Sequence, residues 1–255
     1  MNIIACYKIV PFEESIVIRK DRSLSFENAE LVIGQYDLNA IEAGARLVGE
    51  HGGELVALTA GSGEVENSKL RKAVLSRGPS RCVTVNDPSL TGADSSAVSA
   101  VLAEAVRSVG EYDLILCGEG SSDLYAQQVG VQLGERLGLP VINAVTSIKY
   151  SGDRLAVKRI VGSETETLSV ALPAVISVSS GINVTRVPSM KDILAAGKKP
   201  VRALTGSDIA IPADRTTDTV ETLAPNQTER KRQIFEGDGA DTVSAFLQAI
   251  SAELR

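Results

Sequence analysis

Apolar runs alternate with helical patterns along the first part of the chain. A short, continuously apolar run predicts a buried strand, and apolar positions at helical spacing predict a helix. The predicted strands are residues 2–10, 55–60, 81–85 and 114–117, and the predicted helices are 35–50, 64–75, 93–109 (behind a Thr91 cap) and 126–137. This alternation indicates βαβ crossovers and a parallel sheet with helices on both faces.

The pattern changes after Pro140. Short strands separated by polar turns predict an antiparallel addition to the parallel core, and the sequence loosens from residue 201 onward. The further predicted elements are strands at 143–150, 155–160, 164–171 and 174–178, a short helix at 192–196, a hairpin of 16–18 with 24–26, and an amphipathic helix at 240–254.

The most informative stretch is residues 113–140, in which a strand leads through a Gly-Ser turn into a helix. This order gathers the amides of Gly118 to Ser122 and the helix start expected at Ala126 around one point. Free amides and the positive end of a helix dipole attract an anion, most often a phosphate. An ordinary strand-to-helix connection is the simpler interpretation of such a turn. With the phosphate interpretation, the fold class is an open, mostly parallel nucleotide-binding α/β sheet with an antiparallel addition and a C-terminal arm.

Composition narrows the class of protein further. A formal net charge of −6 argues against nucleic acid as the main partner, since phosphate backbones need a basic surface. Cys6, Cys82 and Cys117 lie in apolar runs, which is typical of thiols in a reducing compartment. The N-terminus lacks a signal-peptide pattern and no stretch reaches membrane-spanning length. We therefore expect a cytoplasmic protein without a transmembrane segment.

The chain carries little material for catalysis. His51 is the one histidine, in a Gly-rich turn, so neither a histidine metal cluster nor histidine acid–base chemistry is expected. The sequence shows no nucleophile elbow and no Lys-containing phosphate loop. A nucleotide-binding chain without a bond-making site is expected to be a carrier or a partner-dependent subunit.

Four stretches carry a resemblance to a known family. They are ACYKIVP (5–11), QYDLNAIEAGARL (35–47), CGEGSSDLYAQQVG (117–130) and RVPSMKDILAAGKKPV (186–201). In order and spacing they resemble the β subunit of an electron-transfer flavoprotein, over nearly the full chain. The resemblance is closest to the branch associated with carnitine or acyl-CoA reduction and with nitrogen fixation.

The resemblance implies a heterodimer. A partner α subunit would hold most of a FAD, and this chain would bind AMP and pass electrons between redox enzymes such as acyl-CoA dehydrogenases or reductases. It also implies two sets of functional residues. The cofactor-binding set is Cys6, Gly34, Gln35, Tyr36, Asp37, Ala60, Gly118, Glu119, Gly120, Ser121, Ser122, Asp123, Ala126, Gln127, Gln128 and Val129. The partner-docking set is Pro188, Met190, Ile193, Lys198 and Lys199.

The resemblance further implies a domain division. Residues 1–200 would form the adenine-nucleotide-binding α/β domain, including a partner-recognition loop at 184–200. Residues 201–255 would form an arm that packs on the α subunit. In the recognition loop, Met190 stands where the family has an anchoring Leu, and methionine is a flexible apolar side chain suited to several pockets.

Alternatives remain open at several positions. A second FAD replaces AMP in electron-bifurcating relatives, but bulky Leu124 and Tyr125 are expected to narrow the space for its isoalloxazine, which favours AMP. Asp37 and Asp123 also fit plain helix caps, and Cys6 a small core residue. The competing class is a non-redox adenine-nucleotide-binding module of the universal-stress type. It would not need the recognition loop or the terminal arm.

Overall fold

The computed structural model describes residues 1–211, 217–226 and 232–251. The strands are β1 (Asn2–Cys6), β2 (Ile9–Pro11), β3 (Val17–Ile18), β4 (Leu24–Ser25), β5 (Leu31–Ile33), β6 (Glu54–Gly61), β7 (Arg81–Asn86), β8 (Leu114–Gly118), β9 (Val141–Ser151), β10 (Arg154–Val161), β11 (Glu164–Ala171), β12 (Ala174–Val178) and β13 (Val201–Leu204). The helices are α1 (Gln35–His51), α2 (Ser68–Leu75), α3 (Ser95–Val109), α4 (Val129–Leu137), α5 (Met190–Ala196) and α6 (Ala240–Ser251). Short 3-10 turns lie at Glu13–Ser15, Gly63–Glu66, Pro88–Leu90 and Ser180–Ile182.

The main sheet confirms the predicted fold class. Within the described residues it has nine strands, in the order β11-β10-β9-β12-β8-β1-β6-β7-β13. The seven strands β9, β12, β8, β1, β6, β7 and β13 each pair in parallel with their neighbours in this group. β10 pairs antiparallel with both β9 and β11. The molecule is thus an open α/β sheet with an antiparallel ribbon at one side.

Two apolar layers cover the two faces of the sheet. On one face, Ile41 of α1 and Val74 of α2 are fully buried against the strands. On the other face, Val101 of α3 and Leu133 of α4 are buried to the same degree. Each such side chain stabilises the fold by about 1.5–3 kcal/mol through removal of apolar surface from water. The predicted arrangement of helices on both faces is confirmed.

The strand order reverses direction between β1 and β8, and the space beyond the carboxyl ends of these two strands is called the crevice below. The chain passes from β1 to β6 and β7 on one side of β1, and β8 then lies on the other side of β1. The helices that follow β1 and β8, α1 and α4, therefore cover opposite faces. In open α/β sheets, such a reversal leaves a ligand crevice beyond the carboxyl ends of the two strands.

The strand predicted at 2–10 is divided in the structure. β1 ends at Cys6, and the next residues leave the main sheet to form β2, which pairs with β5. The cause is Lys8, whose amide donates to the Asp37 side chain instead of a neighbouring strand. The predicted hairpin is confirmed by the antiparallel pair β3 and β4.

Three predicted helix starts are wrong. α4 begins at Val129, not at Ala126, because Tyr125 and Gln127 adopt left-handed φ values of 46° and 58°. α3 begins behind an Asp94 cap rather than Thr91, since the Asp94 carboxylate accepts from the Ala97 amide. The helix expected at 64–75 is a 3-10 turn followed by α2.

Other elements agree with expectation or extend it. The strands predicted at 164–171 and 174–178 coincide with β11 and β12. The short helix expected at 192–196 starts earlier, at Met190, because Ser189 and Asp192 form a capping box. β5 and β13 were not predicted. The terminal helix is described to Ser251, and residues 252–254 of its predicted range lie outside the described residues. No helix in the described ranges is long and apolar enough to cross a membrane.

Candidate functional site

Asp37 joins the two sides of the crevice. One carboxylate oxygen, Oδ2, accepts from the amide of Lys8 beyond β1 at 2.7 Å, and Oδ1 accepts from the amide of Gly118 in β8 at 3.2 Å. Asp37 lies in the first turn of α1, where a negative charge also interacts favourably with the helix dipole. Its position ties α1, β1 and β8 together.

Burial dominates the electrostatics of Asp37. Loss of solvent raises the pKa of its carboxyl from 3.8 to about 7, although the Lys8 and Gly118 amides and the Lys8 ammonium oppose the shift. The nearby Asp123 carboxylate raises the pKa further. The crevice therefore contains an acid that titrates close to neutrality.

Lys8 is a site residue that the sequence reasoning did not include. Its ammonium donates to Asp123 Oδ2 at 2.5 Å, and its carbonyl accepts from the Gly34 amide at 3.1 Å. Burial would raise the pKa of Asp123, but the Lys8 ammonium and the Ser121 hydroxyl outweigh it and lower that pKa. A signal was present in the sequence, because a lysine inside an otherwise apolar run indicates that the buried strand ends there.

The turn after β8 contains successive amides that have no hydrogen-bond acceptor within the described part of the chain. Gly118 and Glu119 donate to Asp37 and to the Val178 carbonyl, so the open part of the turn begins at Gly120. In the described residues, the amides of Gly120, Ser121 and Ser122 have no protein acceptor. Successive open amides of this kind form anion-binding concavities.

The start of α4 adds further donors beside this turn. The first hydrogen bond of α4 runs from the Gln132 amide to the Gln128 carbonyl, so the first-turn amides precede the helical ladder. Gly130 faces β8 and β12, and a Cβ there would make ordinary contacts, 3.5 Å from Cys117 Cβ and 3.6 Å from Ser177 Cβ. The helix start therefore lies against these two strands.

Tyr125 covers part of the turn. Its ring packs against the Tyr36 ring with centroids 5.4 Å apart, and its hydroxyl donates to the Glu119 carboxylate. That hydrogen bond, with partial burial, raises the pKa of the Tyr125 phenol. A Cβ at Gly120 would come within 2.6 Å of the Tyr125 ring, so a larger residue there would have to displace the ring.

Close approach also constrains Gly118. A Cβ there would lie 2.6 Å from Asp37 Oδ1 and 2.7 Å from Tyr36 Cβ. The start of α1 thus rests directly on the backbone of β8. A side chain at this position would push α1 away and break the bond from Gly118 to Asp37.

Cys6 and Ala60 lie on the α3 side of the sheet, at the carboxyl ends of β1 and β6. Cys6 is buried, with an exposed fraction of 6%, whereas Ala60 is half-buried. The hydrogen bond with Cys117 and burial raise the pKa of the Cys6 thiol well above its usual value. Cys6 is therefore a neutral, small side chain beneath the crevice.

The remaining predicted cofactor residues differ in their surroundings. The Gln128 side chain accepts from the Ser95 hydroxyl at 2.6 Å, and Gln35 donates to Asn39 at 3.3 Å, so both are engaged within the protein. Ser122, Ala126 and Gln127 are exposed on the outer part of the turn, and Val129 is half-buried. The structure thus gathers most of the predicted set around one crevice.

The predicted docking residues lie on and beside α5. Met190 has an exposed fraction of 72%, Ile193 is exposed, and Pro188 is half-buried. Lys198 is exposed, but the Lys199 ammonium donates to the carbonyls of Leu75 at 2.7 Å and Pro79 at 2.6 Å. Burial lowers the pKa of Lys199. Lys199 therefore ties α5 to the end of α2.

A clamp formed by Asn39, Glu42, Arg46, Asn183 and Arg186 fixes the base of the recognition loop on α1. Glu42 is buried and binds the guanidiniums of Arg186 and Arg46, each through Nε at 2.6 Å. Asn39 and Asn183 exchange hydrogen bonds of 3.0 Å. The clamp was not predicted from the sequence, because its α1 residues and their partners Asn183 and Arg186 lie 144 positions apart in the chain.

A comparison with protein families identifies the class to which this site belongs. A family model described as the electron transfer flavoprotein domain matches residues 24–209. The match covers most of the chain, and the chain therefore belongs to the electron transfer flavoprotein domain family. The family assigns it an electron-transfer flavoprotein-type role in a flavin-related context. The partners that such a role involves are another electron-transfer flavoprotein subunit and redox enzymes.

Proposed function

We propose that this chain is the β subunit of a heterodimeric electron-transfer flavoprotein. The complex carries electrons between redox enzymes, such as acyl-CoA dehydrogenases or reductases, through a FAD that the α subunit mostly holds. The observation that carries the proposal is the crevice between β1 and β8, bordered by the open amides of residues 120–122, in a chain of this family. In this proposal the protein is cytoplasmic and belongs to the branch associated with carnitine or acyl-CoA reduction and with nitrogen fixation.

AMP is the proposed resident of the crevice, with a second FAD as the alternative. Tyr125 supports AMP, because its ring is fixed by Tyr36 and Glu119 above Gly120 and occupies space beside the turn. Leu124 has an exposed fraction of 70%, so it gives weaker support than Tyr125 for AMP over a second FAD. The phosphate of AMP would meet the amides of Gly120, Ser121 and Ser122.

The chain itself performs no bond-making step in this proposal. The FAD of the complex supplies the electron-accepting and electron-donating chemistry. This chain contributes a rigid nucleotide-binding sheet, an exposed recognition loop and an arm. The small side chains at Cys6 and Ala60 leave room for a purine at the strand ends, and Asp37 holds the floor of the crevice through backbone bonds.

Docking of the redox enzyme is assigned to the recognition loop. Met190 and Ile193 present apolar surface on α5, and Lys198 adds a positive charge beside it. A few apolar contacts of this kind supply most of the binding energy at a transient interface. Lys199 supports the loop through its bonds to the carbonyls of Leu75 and Pro79 rather than by contacting a partner.

The proposal is tested by releasing the nucleotides from the complex purified with its α subunit. Acid treatment followed by chromatography should yield one FAD and one AMP per heterodimer. Two FAD would replace the AMP assignment by the bifurcating alternative. Isolation of the chain without a flavin-bearing partner, or of a complex without bound adenine nucleotide in this subunit, would overturn the proposal.

A further inference from the structure

We propose that Lys8 is the cation that binds the phosphate of the adenine nucleotide, and that Asp123 holds the Lys8 ammonium until the nucleotide displaces it. The inference rests on the proposed function and assigns a specific residue to it. When the nucleotide binds, the Lys8 ammonium leaves the Asp123 carboxylate and pairs with the phosphate.

The backbone of Lys8 is fixed in the crevice. Its amide donates to Asp37 Oδ2 at 2.7 Å, and its carbonyl accepts from the Gly34 amide at 3.1 Å. Only the side chain is therefore free to move. That side chain extends from the end of β1 to the turn after β8, and its exposed fraction of 45% leaves it room to turn.

The ammonium already lies beside the open amides. It contacts Asp123, which follows directly after Gly120, Ser121 and Ser122. A phosphate on those amides would thus come close to Lys8. In the described residues, Lys8 is the one cation whose side chain bonds to residues 118–128.

Charge balance gives a reason for the exchange. In the described residues, the crevice carries the carboxyl groups of Asp37, Glu119 and Asp123, against the ammonium of Lys8. A phosphate added to this set would be repelled unless a cation paired with it. Among the described cations, Lys8 is the one that bonds to the turn after β8, which favours it for the role.

The exchange leaves Asp123 with other partners. Its carboxylate also accepts from the Leu124 amide at 2.9 Å and from the Ser121 hydroxyl. An ion pair with a half-exposed lysine contributes little net stability, and a phosphate monoester carries about −1.5 to −2 charge at pH 7, so it attracts the ammonium more strongly than a single carboxylate does. Displacement of Asp123 by phosphate is therefore favourable.

The test compares AMP with adenosine, which lacks the phosphate. Both are titrated by calorimetry into the heterodimer after removal of bound AMP. Lys8→Met should weaken AMP binding by about 10- to 100-fold and leave adenosine binding unchanged within about twofold, since one charge-assisted bond is worth roughly 1.5–3 kcal/mol. Lys8→Arg should retain most of the AMP affinity. Lys158→Met, at an exposed position on β10, is the matched control and should change neither titration.

Asp123→Asn tests the exchange independently of the lysine variants. Removing the competing carboxylate should strengthen AMP binding by about two- to fivefold, with no change for adenosine. Equal losses of AMP and adenosine in Lys8→Met, or unchanged AMP binding, would overturn the role of Lys8. Weaker AMP binding in Asp123→Asn would overturn the exchange. If the unaltered complex binds neither ligand, the proposed nucleotide site itself fails, which is a different result from a wild-type complex that binds AMP without using Lys8.

Discussion

Asp37 is a carboxyl group from which water is largely removed. The amides of Lys8 and Gly118 and the Lys8 ammonium partly compensate for the lost hydration, yet burial still raises the pKa of Asp37 to about 7. The folded protein consequently holds a proton that the unfolded chain has already released at the same pH. Such a difference makes stability depend on pH.

We predict that ionisation of Asp37 costs stability as pH rises. Below the unfolded pKa of 3.8 the carboxyl is neutral in both states, so its stabilising effect is complete. Between pH 3.8 and about pH 7 this stabilisation is progressively lost. Above about pH 7 no further stability is lost through Asp37. Asp37→Asn cannot ionise. The free energy of unfolding of the wild type, relative to this variant, should therefore fall by on the order of 2 kcal/mol between pH 5 and pH 8.

Urea unfolding of both proteins at several pH values measures this difference. Asp153→Asn, in the exposed turn between β9 and β10, is the control and should run parallel to the wild type. A wild-type curve that gains stability toward pH 8 relative to Asp37→Asn would contradict the assignment.

At the scale of elements, α1 connects the crevice to the recognition loop. Asp37 at its start binds Lys8 and Gly118, and Glu42 farther along binds Arg186. Burial would raise the pKa of Glu42, but Arg186 and Arg46 outweigh it and lower that pKa. The Glu42 anion therefore orders the base of the loop.

We predict that Glu42→Ala loosens the recognition loop. It removes the buried anion between two guanidiniums, which are half-exposed and can turn to water, so the cost is on the order of 2 kcal/mol rather than that of a fully buried pair. Denaturant unfolding measures the loss. Hydrogen exchange should become faster at the Asn183 to Arg186 amides and remain unchanged in the strands β10 and β11.

Glu50→Ala supplies the matched control for Glu42→Ala. Glu50 lies on the same helix with an exposed side chain, and its carboxylate lies 3.7 Å from Nε2 of the neighbouring His51. Its replacement should leave both stability and loop exchange unchanged within about 0.5 kcal/mol, as for most surface substitutions. Unaltered exchange at Asn183 to Arg186 in Glu42→Ala would show that the clamp does not order the loop.

At the scale of the whole molecule, the end of the described chain leaves apolar surface uncovered. α6 buries none of its described side chains, and Val243, Phe246 and Leu247 have exposed fractions of 51%, 48% and 55%. Phe246 contacts Phe235 of the same terminal segment, with ring centroids 5.6 Å apart. An amphipathic helix with this face exposed suits an interface with a second protein.

We predict that Val243→Ser combined with Leu247→Ser weakens association with the proposed α subunit at least about tenfold, because two apolar anchors are lost. Stability of the isolated chain should change by less than about 0.5 kcal/mol, since neither side chain is buried there. Analytical ultracentrifugation of the mixed subunits measures association. Gln248→Ala, a polar position on the same helix, is the control, and unchanged association of the double variant would remove α6 from the interface.

The sequence predicted elements best where the local pattern is decisive. The continuous run of Ala174–Val178 and the alternation of Glu164–Ala171 define β12 and β11 without help from tertiary contacts. β13 was missed because Val201–Leu204 is short and contains an arginine. It is a strand because it pairs with β7, and that partner is distant in the chain.

The site was predicted as a set of residues but not as a geometry. The Gly-Ser turn and its place after a buried strand are visible in the sequence. The left-handed Tyr125 and Gln127, which delay α4 to Val129, are not, because nothing local requires these residues to adopt positive φ. The role of Lys8 likewise depends on Asp37 and Asp123, which meet it only in the folded chain.

The sequence by itself determined the alternation of strands and helices, the parallel core with its antiparallel addition, and the Gly-Ser turn after β8, because hydrophobic period and turn chemistry are local properties. Only the tertiary structure decided which strand ends meet at the crevice, which amides stay open, and which charges pair across it. Those features depend on hydrogen bonds between residues as far apart as Asp37 and Gly118, which no local pattern encodes.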